Sequence, residues 1–115
     1  MKEDIGGYIW AKLGFFGFVT GVQTFQVSSS LQCSNLKYFL QDKRVKDAPQ
    51  GTNILGILPG SGWGTADDRI LVVGAHWDTV HESGGVDDNG GGVSALLELA
   101  RQVLICKRKS NYLII

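Results

Sequence analysis

The chain has 115 residues, and 43% of them are hydrophobic, which is the usual apolar share of a globular protein and argues against intrinsic disorder. Eleven Lys and Arg residues balance eleven Asp and Glu residues, so the charge does not favour a nucleic-acid partner. The length allows one small domain or part of a larger one.

The amino-terminal segment is apolar and aromatic, and we predict that residues 5–14 form a first helix. Ile5, Ile9 and Leu13 recur near helical spacing, which predicts an apolar face packed on a sheet. A signal peptide is not indicated, because two acidic residues follow the basic residue near the start and no small-residue cleavage site follows. The apolar run is also too short and too interrupted for a membrane span.

Two strands are predicted in the middle of the chain. Residues 22–27 alternate apolar and polar side chains, which indicates a half-buried strand. Residues 28–50 are polar and serine-rich and are expected to form a surface connection. Residues 53–58 form the second strand, ended by a Pro-Gly turn. We expect this strand to pair in antiparallel fashion with the next one, residues 70–75, in a mixed sheet.

The strand at residues 70–75 is uniformly apolar, as in strands covered on both faces of an α/β sheet. Ligands of such sheets bind just past the carboxyl ends of the strands, and His76 stands at that point. Strand side chains alternate, so His76 and Asp78 should point the same way. One imidazole nitrogen is then free to hold a metal while Asp78 orients the ring through the other.

The loop at residues 83–92 has five glycines around Asp87 and Asp88. A phosphate-binding loop before a helix is the obvious rival, but two carboxylates would repel the phosphate, so a cation suits the loop better. Calcium would accept the oxygen ligands of residues 87–89. His76 argues instead for zinc and its neighbours, which imidazole prefers.

A helix over residues 93–105 should follow this loop and pack on the sheet. Its apolar residues fall on one stripe, made up of Val93, Leu96, Leu97, Ala100 and Leu104. Ser94 and Glu98 are expected to have capping or solvated roles rather than catalytic ones. Residues 110–115 are expected to begin the next strand.

In combination these motifs resemble metallopeptidase family 28, the co-catalytic zinc aminopeptidases and their carboxypeptidase relatives. The resemblance rests on the HWD motif at 76–78, the GVDDNGGGV run at 85–93 and the ALLE run at 95–98, and the GTNILGILPG run at 51–60 is similar to the strand before them. It implies an α/β fold with a mixed, mostly parallel sheet flanked by helices, of the zinc-exopeptidase, phosphorylase/hydrolase-like type.

The resemblance also implies roles for individual residues. His76 would be a terminal ligand of one zinc, Asp78 the carboxylate that orients it, and Asp88 the carboxylate that bridges two zincs. The peptide bond between Asp88 and Asn89 would be cis. A complete site of this family holds two zincs and also needs a Glu-Glu pair, a further acidic ligand and a second histidine downstream.

Because the sequence ends at Ile115, the resemblance leads us to expect a partial peptidase domain over residues 1–115, truncated after the helix that follows the metal loop and inactive alone. The expected function is that of a zinc-dependent exopeptidase, an aminopeptidase or a carboxypeptidase, acting on peptide substrates. Two alternatives stay open. One is a fragment of a single-zinc aminoacyltransferase of the glutaminyl cyclase kind, and the other is a non-catalytic binding or vestigial fragment.

Several residues have less specific interpretations. Cys33 and Cys106 either pair or stay free. Trp63 is expected to cover a sheet edge rather than line a substrate pocket, and His81 to be an exposed loop histidine rather than a ligand. Residues 107–109, a basic cluster, are expected to be a solvated helix end. Relatives are often secreted or lysosomal, but the compartment and the oligomeric state stay open.

Overall fold

The structure is a computed structural model that describes residues 5–26, 50–105 and 111–114. In chain order its elements are α1 (Ile5–Phe15), β1 (Val19–Gln26), β2 (Gln50–Leu58), β3 (Ile70–Val73), α2 (Gly91–Val103) and β4 (Asn111–Ile114). The predicted mixed α/β class is confirmed. Within the described ranges the observed ends lie within three residues of the predicted ones. The predicted connection at 28–50 lies outside the described residues, except for Gln50, which begins β2.

The strands form a sheet in the order β1-β2-β4-β3. β4 runs antiparallel to β2, with Gly56 opposite Ile114, and parallel to β3, with Val73 opposite Ile114. The prediction that β2 and β3 are neighbours is therefore wrong, because β4 lies between them. The chain leaves β3, passes through α2 and returns in parallel, as crossover connections through a helix do.

A hydrophobic core joins α1, β2 and α2. Its buried residues are Ile9, Leu13, Phe18, Ile54, Leu58, Leu96, Ala100 and Val103. In β2 every second residue from Ile54 to Leu58 is buried, as expected for a strand with one face on a core. Between them, Gly56 lets α1 approach closely, since a Cβ there would lie 3.2 Å from the Leu13 side chain.

In each of the two helices, one residue that the sequence predicts on the buried face is exposed. In α1, Ile9 and Leu13 are buried while Ile5 is 57% exposed. In α2 the stripe ends with Val103 rather than Leu104, which is 41% exposed, because the helix ends at residue 103. Neither helix in residues 5–26 and 50–105 is long and apolar enough to cross a membrane.

Strand β3 is not covered on both faces, so that prediction is also wrong. Ile70, Leu71 and Val72 are 49–63% exposed, whereas Val73 packs against the core. Among the described residues β3 has β4 as its neighbour in the sheet, and no further layer covers these three side chains. A uniformly apolar strand shows which surfaces favour burial, but another layer must be present to bury them.

The segment Val22–Asn53 forms a compact unit of its own, apart from the unit of Met1–Gly21 and Ile54–Ile115. In the described part of this smaller unit, Asn53 Nδ2 donates a hydrogen bond to Gln23 Oε1 at 3.0 Å. Residues 22–26 are all exposed, so the prediction of a half-buried strand is wrong here. Alternation marks a face that suits burial, and in this unit no described element covers it.

Candidate metal centre

The carboxyl end of β3 presents two polar side chains on one side of the chain. After Val73 the backbone continues through Ala75 and Trp77, which pack against the core, while His76 and Asp78 are exposed between and beyond them. This alternation is that of an extended strand. It gives His76 and Asp78 the common orientation that the sequence predicts.

The loop before α2 makes a tight turn over Val86–Gly90. Gly85 enters it with a left-handed φ of 65°, and Gly90 N–H donates to the Gly85 carbonyl at 2.7 Å. Asp88 and Asn89 leave helical backbone geometry. The peptide bond between them is cis, so that prediction is confirmed.

Strand end and turn meet at the imidazole of His76. Its Nε2 lies 3.0 Å from Asp88 Oδ1. Its Nδ1 lies 3.2 Å from Asp78 Oδ1 and 3.2 Å from the Asp78 carbonyl oxygen. The structure therefore brings together the three residues that the sequence singled out, with one carboxylate at each ring nitrogen.

The surroundings of His76 favour a positive charge. The hydrogen bond to the Asp78 carbonyl and that to its carboxylate, with the negative charge of Asp88, raise the pKa of His76 above 6.5, and partial desolvation opposes them. The side chains of Asp78 and Asp88 are 89% and 88% exposed. A cation in the position of the Nε2 proton would meet the same field.

These donors fit zinc in kind and in separation. Zinc binds imidazole nitrogen and carboxylate oxygen at about 2.0–2.2 Å, so two such donors in a tetrahedral shell lie about 3.3 Å apart, close to the 3.0 Å seen between His76 and Asp88. A zinc site needs three or four protein ligands. No group of three or more His, Cys, Asp or Glu that could hold a metal occurs within residues 5–26 and 50–105, so His76 and Asp88 by themselves would be an incomplete zinc site.

Residues that the sequence set aside take local roles. His81 is exposed, and Trp63 is 53% exposed. Ser94 Oγ donates to the Gly90 carbonyl at 2.8 Å. Glu98 accepts hydrogen bonds from Arg101 and Gln102 on the surface of α2. Cys33, Cys106 and the basic cluster at 107–109 lie outside the described residues.

Sequence reasoning missed Asn89. Its Oδ1 accepts a hydrogen bond from Gly92 N–H at 3.0 Å, which satisfies a free donor in the first turn of α2. The signal was available, since Asn three residues before a backbone N–H at a helix start is typical of a capping residue.

Residues 53–114, more than half of the chain, match the family model of Peptidase family M28. The chain belongs to peptidase family M28. It is 30% identical over 96 residues to leupeptin-inactivating enzyme 1 of Streptomyces exfoliatus, and the match covers 84% of this chain and 17% of that enzyme.

Solved structures share the fold. A glutaminyl cyclase from Porphyromonas gingivalis has a TM-score of 0.64 at 23% identity, covering 96% of this chain and 34% of the cyclase. A Zn-dependent exopeptidase from Parabacteroides distasonis has a TM-score of 0.61 at 24% identity, covering 96% of this chain and 36% of the exopeptidase. The chain thus spans about a third of the length of these structures and 17% of the curated relative.

Proposed function

We propose that this M28 chain provides zinc ligands His76 and Asp88, with Asp78 orienting His76, to the catalytic centre of a zinc-dependent exopeptidase that hydrolyses terminal peptide bonds. The observation that carries the proposal is the placement of the His76 imidazole between the carboxylates of Asp78 and Asp88. In the finer form of the proposal, the Asp88 carboxylate bridges two zincs.

Each residue has a distinct part in this proposal. Neutral His76 offers the Nε2 lone pair, and its Nδ1–H donates to Asp78, which holds the tautomer and makes Nε2 a better ligand. Asp88 offers Oδ1 beside Nε2 and has a second oxygen for another cation. When bound, zinc supplies Lewis-acid polarisation of the scissile carbonyl and activation of water at neutral pH.

Peptide substrates are supported by family membership and by two relatives. The first is named leupeptin-inactivating enzyme 1. The second is a solved Zn-dependent exopeptidase with the same fold. The exposure of the His76 side chain, 54%, leaves its surroundings open to a substrate terminus. The proposal requires further ligands and a general base beyond His76, Asp78 and Asp88.

A second candidate is single-zinc aminoacyl transfer of the glutaminyl cyclase kind. The fold shared with the Porphyromonas gingivalis cyclase favours it. The two candidate ligands, His76 and Asp88, suit a one-metal centre equally well. Metal stoichiometry and product separate the candidates. Two zincs and release of a terminal amino acid support the exopeptidase, whereas one zinc and ring closure of an amino-terminal glutamine support the cyclase.

Zinc titration of a protein that contains this chain together with the remaining ligands tests the site. We expect the wild type to bind zinc more tightly than His76→Ala and Asp88→Asn, which each lose a ligand. Asp78→Asn should weaken binding by about 10-fold or more, as is usual when a carboxylate partner of a metal-bound histidine is lost. The matched control is His81→Ala, an exposed histidine of the same loop. Equal affinity in wild type and His76→Ala would overturn the proposal.

A further inference from the structure

The carboxylate of Asp88 is positioned by its backbone rather than by side-chain packing. The side chain is 88% exposed, and among the described residues its polar contact is with His76. Which rotamers an exposed side chain can adopt depends on the φ and ψ angles of the backbone that carries it. The groups that hold residues 88 and 89 therefore decide whether Asp88 faces His76.

Asn89 ties this backbone to α2. Its partly buried Oδ1 accepts the Gly92 N–H at 3.0 Å. The helix itself is anchored in the core through Leu96 and Ala100. Asp88 is thus linked to the core through Asn89, through the hydrogen bond of Asn89 to Gly92 and through the first turn of α2.

Gly92 makes this contact sterically feasible. A Cβ at position 92 would lie 2.6 Å from Asn89 Nδ2 and 2.7 Å from its Cγ, and would contact Oδ1 more closely still. Any side chain there must displace the Asn89 amide. The glycine is explained by this approach, since no left-handed φ occurs at position 92.

We propose that Asn89 and Gly92 form a latch that positions Asp88 for metal binding, and that Asn89 is a positioning residue. The inference rests on the proposed role of Asp88 as a metal ligand. A plain capping residue would stabilise α2 without affecting the metal. If Asn89 and Gly92 form this latch, substituting each residue alone will change zinc affinity and helix stability to different extents.

The test compares zinc affinity and thermal midpoint in the same protein that is used for the zinc titration. Asn89→Ala should lower both, with zinc binding about 10-fold weaker. Asn89→Ser, which keeps a capping oxygen, should restore part of each. Gly92→Ala should weaken zinc binding similarly but lower the midpoint less than Asn89→Ala, because alanine favours the helix over glycine.

The double variant Asn89→Ala/Gly92→Ala and a matched control complete the design. The double variant should bind zinc as weakly as Asn89→Ala alone, yet be more stable, because the added methyl fills vacated space. Ser94→Ala removes a hydrogen bond from the same turn but introduces a stronger helix former, so it should not lower the midpoint and should leave zinc affinity unchanged. Zinc affinity that follows stability across all variants, Ser94→Ala included, would overturn the latch.

A metal-free readout separates the latch from the proposed function. In crystal structures without metal, the distance from Asp88 Oδ1 to His76 Nε2, 3.0 Å here, should lengthen in Asn89→Ala and stay unchanged in Ser94→Ala. If the wild type fails to bind zinc but this distance responds to Asn89, the proposed function is wrong and the positioning stands. An unchanged distance in Asn89→Ala refutes the positioning whatever the zinc result.

Discussion

Two carboxylates lie at opposite ring nitrogens of His76, although all three side chains are more than half exposed. Ion pairs in such water-rich surroundings add little to folding stability. The arrangement is therefore better explained by the preorganisation of donor atoms than by stabilisation of the fold. Substitutions at the contacts that position these donor atoms are therefore the most informative ones.

Gly85 offers the first prediction. Its φ is 65°, and a Cβ there would lie 2.9 Å from Thr79 Cβ, next in sequence to Asp78. Gly85→Ala should lower the free energy of unfolding by about 1–3 kcal/mol, since a non-glycine residue is strained there. Urea unfolding measures the change. The matched control is Gly84→Ala, where nothing lies within 4 Å; equal losses in the two variants would contradict the prediction.

The second prediction concerns the pKa of Glu98. Hydrogen bonds from Arg101 and then Gln102 lower this pKa from 4.5 to about 2. A lowered folded-state pKa means that the pair stabilises the chain above pH 4.5 and that this contribution is lost as the pH falls toward about 2. NMR titration should show Glu98 ionised well below pH 4.5. Arg101→Gln should raise its pKa toward the ordinary value; no rise would contradict the assigned cause.

Among the elements, α1 depends on the core more than on its own helix propensity. The α1 sequence contains three glycines, which disfavour helix, so the burial of its inner face must compensate. In β3, by contrast, apolar residues remain exposed at the edge of the described sheet. The same hydrophobic composition thus leads to burial in one element and exposure in another.

The third prediction tests this dependence. Leu13 in α1 is fully buried, while Leu99 in α2 is 40% exposed. Leu13→Ala should lower the free energy of unfolding by about 2–5 kcal/mol, because it removes transfer energy and leaves a cavity. Leu99→Ala, the same chemical change, should cost about 1 kcal/mol or less. Thermal or urea unfolding decides, and comparable losses would show that α1 is not anchored in the core.

For the whole molecule, the candidate centre joins the end of a strand and the start of a helix within one compact unit. His76 follows β3, and Asp88 precedes the helix that leads back to β4 beside it. Only the folded chain holds both donors together. Zinc binding as proposed would therefore be linked to folding.

The fourth prediction follows from that linkage. Zinc should raise the unfolding temperature of the wild type in a concentration-dependent way, since it binds the folded state preferentially. His76→Ala should lose most of this shift. Magnesium is the matched control ion, because imidazole is a poor ligand for it. Differential scanning fluorimetry measures the unfolding temperature. An equal zinc-induced rise in wild type and His76→Ala would mean that zinc binds elsewhere on the chain.

The amino-acid sequence by itself determined the features that depend on neighbours along the chain. The family resemblance implied the role of Asp88 and the cis bond before Asn89. Helical spacing located α1 and α2, the apolar runs located β2 and β3, and the alternation beyond β3 put His76 and Asp78 on one side. These are local properties, because side-chain periodicity and turn chemistry act over a few residues. The role of Asn89 was equally local and was overlooked.

The tertiary structure alone decided which surfaces meet. It placed β4 between β2 and β3, left Ile70 and Leu71 exposed, and ended the buried stripe of α2 at Val103. It also set the 3.0 Å approach of Asp88 to His76. The physical reason is that hydrophobic patterning specifies which face favours burial, whereas the partner that buries it comes from distant parts of the chain.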